Sequence, residues 1–176
     1  MPTPPDSEPA MLALLARERQ NFVSQFERVP SARRTAPAAD GGWSPVQVAE
    51  HVARVETGVA RMIIKGASLP RAATDDELVA AQITESKVAI VRDRTVKVQA
   101  PERTHPVGAV TAETAVSQLE QSRAELLAAY HAAEPAVLDG VTFAHPFVGP
   151  LTLRAWMELV AHHDARHAQQ LQEFAP

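Results

Sequence analysis

Trp43-Ser44-Pro45-Val46-Gln47-Val48 is a complete helix start. Ser44 offers a side-chain oxygen at the N-cap, and Pro45 stands at the first helical position, where an N–H has no partner anyway. Gln47 falls at N3 and closes a capping box, while Trp43 can fold over Val48 as a hydrophobic staple. The spacing predicts a helix from here to about Lys65, stopped by Gly66. Its apolar stripe is Val48, Val52, Val55, Val59, Met62 and Ile63.

The same signals recur on both sides. Ser7, ahead of Glu8 and Pro9, predicts an N-cap for a first helix reaching about Val29, with Leu12, Leu15, Phe22, Phe26 and Val29 on one stripe. Residues 1–6 are Pro-rich and read as a loose terminus. Pro30 to Gly42 is a loop. Thr74 and Glu77 form a second capping box, opening a third helix to about Arg94 whose weaker pattern admits a break. Gln99 to Gly108 reads as a loop. Thr111 caps a fourth helix through Leu119, Leu126 and Tyr130 to about Ala133. Glu134 to Pro150 reads as irregular, and Thr152 caps a fifth helix running almost to the end. Val96-Lys97-Val98-Gln99 alternates, but one strand has nothing to pair with. Long helices joined by loops predict an all-α bundle in a single domain, residues 1–176.

Composition agrees. The chain has 176 residues, enough for one core, with few aromatics at 5% and much alanine, which favours close helix packing over sheet. A net charge of −4 gives no basic surplus for nucleic acid. No apolar run approaches a membrane span, and the N-terminus lacks the basic and apolar regions of a signal peptide, so the expected setting is cytoplasmic. The chain has no cysteine. Disulfides, thiolate nucleophiles and cysteine metal sites are therefore excluded, and any metal site must use His, Asp or Glu.

The fifth helix carries the chemistry. Its stripe reads Leu153, Trp156, Val160, His163, His167 and Phe174, so two imidazoles four residues apart lie in line with the core. Such a pair can chelate one ion. His51 stands on or beside the stripe of the second helix, and a bundle builds metal sites from inward side chains on facing helices. Together they predict an open three-histidine site with room for water or substrate. The competing reading is a set of core histidines satisfied by carbonyls or a tyrosine. His162 lies about 100° round the helix and does not pair with His167. His163-Asp164-Ala165-Arg166-His167 has the spacing of the metalloprotease His-Glu-x-x-His, but Asp164 is a methylene too short and the rest of that class is missing. Asp164 and Arg166 are the candidate catalytic residues, with supporting or surface ion-pair roles as the alternative.

Three segments resemble the DinB-like superfamily. They are Trp43-Ser44-Pro45-Val46-Gln47-Val48-Ala49-Glu50-His51; the loop around Ala100-Pro101-Glu102 and Pro106; and His145-Pro146-Phe147-Val148-Gly149-Pro150-Leu151-Thr152, followed by Trp156 and His163-Asp164-Ala165-Arg166-His167-Ala168-Gln169-Gln170-Leu171. The resemblance covers nearly the whole chain in order. It implies a four-helix bundle of up-down-down-up topology, sometimes with an extra helix, and one divalent metal, often zinc or nickel. Carried over, the metal ligands are His51, His163 and His167. A homodimer is plausible on the same ground.

That family includes thiol-dependent S-transferases, a thiol-dependent maleylpyruvate isomerase and presumed metal-dependent hydrolases, so fold alone does not fix the reaction. Three expectations follow. The first is a metal-dependent enzyme activating a low-molecular-weight thiol such as bacillithiol, mycothiol or glutathione, which must come from outside a chain without cysteine. Arg154 and Arg166 would then be candidates for an anionic thiol's carboxylate, against a plain surface role. The second is a hydrolase using metal-bound water, with Asp164, His162 and His145 as candidate acids or bases. The third is a non-catalytic metal-binding stress or detoxification module. The expected partner is a small-molecule substrate or thiol, not nucleic acid or a membrane.

Overall fold

The computed structural model describes residues 8–69, 74–96, 98–108 and 110–174. The predicted Ser7 cap, the loose residues 1–6 and Lys97 of the alternating run lie outside them. Four long helices make the body: α1 (Glu8–Arg28), α2 (Pro45–Gly66), α5 (Ala112–Ala132) and α7 (Leu153–Gln172). Between them come α3 (Asp75–Ala80), α4 (Glu85–Arg92), α6 (Pro135–Gly140) and the strands β1 (Thr142–His145) and β2 (Gly149–Thr152). α1 packs along α7, α2 along α5, and α2 also meets α7. No helix among the described residues is long and apolar enough to cross a membrane.

The starts of α2, α3, α5 and α7 are those the caps predict. Ser44 accepts from the Gln47 amide and Gln47 returns a bond to the Ser44 amide, the full capping box. Thr74 and Glu77 do the same for α3, and Thr111 and Thr152 cap α5 and α7. α2 ends at Gly66, where a Cβ would lie 2.6 Å from Leu153 Cδ1.

One stretch takes the break that the sequence reading allowed, and another differs from that reading. The third helix breaks into α3 and α4, because the Thr84 side chain accepts from the Lys87 amide and starts a new helix. Lys87 Nζ donates to the carbonyls of Ala80 and Gln82, while the Ala81 carbonyl accepts from the Thr152 amide at 3.1 Å, which fixes the gap. The expected irregular stretch contains α6 and an antiparallel hairpin, with Thr142 opposite Thr152 and His145 opposite Gly149. Its turn, Pro146–Val148, delivers the chain to Gly149 at φ +77°, a conformation glycine adopts without a Cβ penalty.

The core has two apolar clusters. The first holds Leu15, Val59, Leu126 and Ala161; the second holds Phe22, Val52, Leu119 and Ala168. Chain order through them gives the topology. α1 and α7 run from the first cluster to the second, and α2 and α5 run from the second to the first. The bundle is therefore up-down-down-up.

Between the clusters lies a layer of charge. Arg19 of α1 donates to Asp164 of α7 (2.9 Å) and to Glu56 of α2 (2.9 Å). Arg123 of α5 donates to Glu56 and, at 3.0 Å, to Asp164. Each arginine also reaches a carbonyl, Arg19 to Leu119 and Arg123 to Leu15, and Ser122 Oγ donates to Glu56 at 2.6 Å. Glu56 and Asp164 are fully buried. Two cations and two anions, one from each long helix, thus close a neutral network at the waist.

Candidate metal centre

His51 lies two turns into α2, in the half of the bundle that holds the second apolar cluster. His163 and His167 are one turn apart on α7, which meets α2 there. His51 Nε2 is 3.2 Å from His163 Nε2, which is 3.2 Å from His167 Nε2, and one ligand atom from each ring fits within 4.8 Å of the others. Two metal–nitrogen bonds of about 2.0–2.1 Å at a tetrahedral angle would separate their nitrogens by about 3.3–3.4 Å. The two edges that meet at His163 are close to that.

The opposite ring nitrogens fix the tautomers. His51 Nδ1 donates to the Thr104 carbonyl (2.8 Å), and His167 Nδ1 donates to Gln170 Oε1 (2.7 Å). Both Nε2 atoms are then bare lone pairs. His163 can donate to only one of them, so a lone pair remains unmet inside the cluster. A proton fits poorly. Burial lowers His51 to about 4 and holds His163 and His167 well below the ordinary imidazole value. Two inward lone pairs on rings that resist protonation, with a third on His163 when its proton sits on Nδ1, suit a divalent cation, and the donor set fits zinc or nickel.

The carbonyl behind His51 is itself held. The single turn Glu102–Thr104 closes with Thr104 Oγ1 on the Pro101 carbonyl. Glu50, buried beside His51, accepts from the amides of Val107 (2.8 Å) and Gly108 (3.3 Å), and Arg54 donates to the Arg103 carbonyl. α2 therefore grips the loop that orients its own histidine. Trp43 stands against this ring, 4.8 Å between centroids.

Arginines act on all three rings, Arg54 on His51, Arg166 on His163, and Arg166 and Arg94 on His167, while the buried carboxylate of Glu50 is turned to the Val107 and Gly108 amides. The partners of His51 and His167 are neutral oxygens. An ion held here would keep its charge instead of sharing it with nearby carboxylates.

The other sequence candidates fall elsewhere. Asp164 is bound by Arg19 and Arg123; burial raises its pKa and the two arginines oppose that shift. Arg166 donates to the carbonyls of Val91, Asp93 and Val96, tying the segment after α4 to α7. Arg154, at the start of α7, forks onto Asp139 and bonds Tyr130 Oη. His162 accepts from Arg92 at 3.0 Å, and its other nitrogen is 3.5 Å from Glu158. His145, on β1, rests on Trp156 with ring centroids 5.1 Å apart; its Nδ1 accepts from the Phe147 amide, and burial lowers its pKa to about 4. Sequence reasoning missed Thr104, Gln170 and Glu50. Gln170 was readable as the neighbour one turn after His167, whereas a backbone carbonyl leaves no trace in residue identity.

Known proteins share the fold of this chain. The chain is 24% identical over 135 residues to the uncharacterized protein YuaE of Bacillus subtilis (strain 168), covering 74% of this chain and 76% of that one. The solved structure of TT2238, described as a four-helix bundle protein, superposes with a TM-score of 0.62 at 26% identity, covering 92% of this chain and 95% of the other. The model of the DinB superfamily matches residues 14–171, a span that takes in both ligand-bearing helices, the loop behind His51 and the waist network, and the chain belongs to that superfamily.

Proposed function

We propose that this protein binds one divalent metal ion, zinc or nickel, through His51, His163 and His167, and that it is an enzyme activating a small external thiol in an S-transfer reaction. The observation that carries the metal is the convergence of three Nε2 atoms, of which His51 and His167 both present lone pairs that a single proton on His163 cannot satisfy. The ion would supply Lewis acidity, lowering the pKa of a thiol at its open position. Arg54, Arg94 and Arg166 act on the rings, which favours an anionic ligand there. The thiol must be a co-substrate, because the chain has no cysteine. The hydrolytic alternative has less support: Asp164 and His162, two of its three candidate bases, are engaged by arginines.

The test is elemental analysis of untagged protein purified without chelators, beside His163→Ala. One divalent ion per chain, absent from the variant, is the expected result. Cobalt-loaded protein should then change its visible spectrum on titration with bacillithiol, mycothiol or glutathione. Protein that neither carries nor takes up zinc or nickel overturns the metal reading. Metal-loaded protein that ignores all three thiols overturns the transferase reading alone.

A further inference from the structure

The waist network touches both helices that carry the metal ligands. Asp164 follows His163 directly on α7, and Glu56 lies five residues after His51 on α2. Neither carboxylate bonds the other's helix directly. The link runs through Arg19 of α1 and Arg123 of α5, each bridging Glu56 to Asp164. A guanidinium fork has fixed geometry, so two forks on the same two carboxylates constrain both the rotation and the axial register of α2 relative to α7. The arginines are anchored in turn by the carbonyls of Leu119 and Leu15, which ties the pair to the two helices without ligands.

Apolar packing alone constrains this less. Ala53 of α2 and Ala165 of α7, each within three residues of a network carboxylate, are buried. Small residues let helices approach closely but hold rotation weakly. The His51–His163 separation is fixed across two helices, and a rotation of either by a small angle moves an imidazole nitrogen by a large part of an ångström. Metal sites lose affinity over such distances.

We propose that the Arg19–Glu56–Arg123–Asp164 network is a positioning device for the metal site, setting the mutual rotation of α2 and α7 that brings His51 to His163 and His167. This rests on the metal-binding reading above and extends it to residues that touch neither the ion nor a substrate. A purely structural network, once broken, would give a weaker bundle with an unchanged site; breaking a positioning network changes the site, where an equal loss of stability elsewhere in the core does not.

The experiment compares Asp164→Asn, Glu56→Gln and the milder Arg19→Lys with Leu138→Ala, a core truncation in α6 away from the network. Co²⁺ affinity is measured by competition with a chelator, the visible cobalt spectrum is recorded, and thermal stability is followed in parallel. The expected result is a Co²⁺ affinity at least tenfold weaker, with a shifted spectrum, in the network variants. Leu138→Ala should lose comparable stability yet keep both wild-type affinity and spectrum. Arg19→Lys, which keeps the charge and loses the fork, guards against failure of the others to fold. Network variants that melt earlier but bind Co²⁺ with the wild-type constant and spectrum overturn the proposal. So does a Leu138→Ala that weakens the site equally. Wild-type protein that takes up no Co²⁺ overturns the metal reading and this proposal together, which separates the two failures.

Discussion

Neutralising Asp164 should show whether the waist network acts as coupled charge. In Asp164→Asn the arginines Arg19 and Arg123 face Glu56 alone, in a layer where both carboxylates are fully buried. Removing one partner from a buried pair typically costs about 3–5 kcal/mol, because the remaining charge is uncompensated. For a chain of this size each kcal/mol shifts the melting temperature by about 2–4 °C, so the expected drop is roughly 6–20 °C. A bundle with about 5–15 kcal/mol to lose stays folded in most of that range. Replacing a pair behaves differently. Arg19→Met with Asp164→Leu leaves Arg123 and Glu56 balanced, and apolar replacement of a buried pair is often neutral or stabilising. The double variant should therefore be more stable than Asp164→Asn, with strong non-additivity in the cycle of Arg19→Met, Asp164→Leu and both. The assay is urea unfolding of chelator-stripped protein, read at the midpoint with an unchanged slope. An Asp164→Asn cost below about 1 kcal/mol, or additive effects in the cycle, refutes the reasoning, since neither fits four groups sharing one electrostatic account.

Other tests bear on the site. Gln170→Leu removes the acceptor behind His167 and should weaken metal binding by about 10–100-fold, with little change in apo-protein stability; a chelator competition checks it. Metal-free protein should lose stability as pH falls below about 6.5, the ordinary imidazole value. His51, His163 and His167 are depressed by burial and stay neutral in the fold, so the unfolded chain binds more protons on acidification. That contribution is fully present above about pH 6.5 and is lost toward the folded values, near 4 for His51; melting temperatures that stay flat from pH 7 to 5 would contradict it. Ser44→Ala removes the α2 cap and should cost about 1 kcal/mol in urea unfolding.

How much of this was legible depends on where each signal lies in the chain. Caps are local, so Ser44, Thr74, Thr111 and Thr152 announced their helices. The two α7 histidines were legible because one helical turn makes neighbours of them, and His51 because it stood on an apolar stripe. The hairpin was not, since its four-residue strands depend on each other and on Gly149. The break between α3 and α4 depends on Thr152, far along the chain. The stripe of α2 was misjudged in part. Val55 and Met62, assigned to it, are only half-buried, while Glu56 between Val52 and Val59 is fully buried. That residue belonged to a pattern present in all four helices. Arg19 sits between Leu15 and Phe22, Arg123 between Leu119 and Leu126, and Asp164 between Val160 and Ala168, each at three- or four-residue steps. One charge on each apolar stripe, two of each sign, is a sequence signal for a closed ionic layer.

The placement of that layer also bears on the chemistry of the histidines. A carboxylate free to reach a ligand imidazole would share its negative charge with any bound ion. Here Asp164 is turned to two arginines and balanced by them. The structure uses a carbonyl and an amide oxygen behind His51 and His167 instead. Anionic partners make a ligand more basic and soften the ion's pull on its open position, whereas neutral ones leave that pull intact. Balancing the waist charges internally therefore lets the bundle bury two carboxylates close to the site without lending it negative charge. Exchanging Gln170 for glutamate isolates the effect. Gln170→Glu should tighten metal binding while raising the pKa of a metal-bound thiol, measured by spectral titration of the cobalt form. A variant that tightens binding and leaves that pKa unmoved would show that the neutrality of the partners has no bearing on the open position.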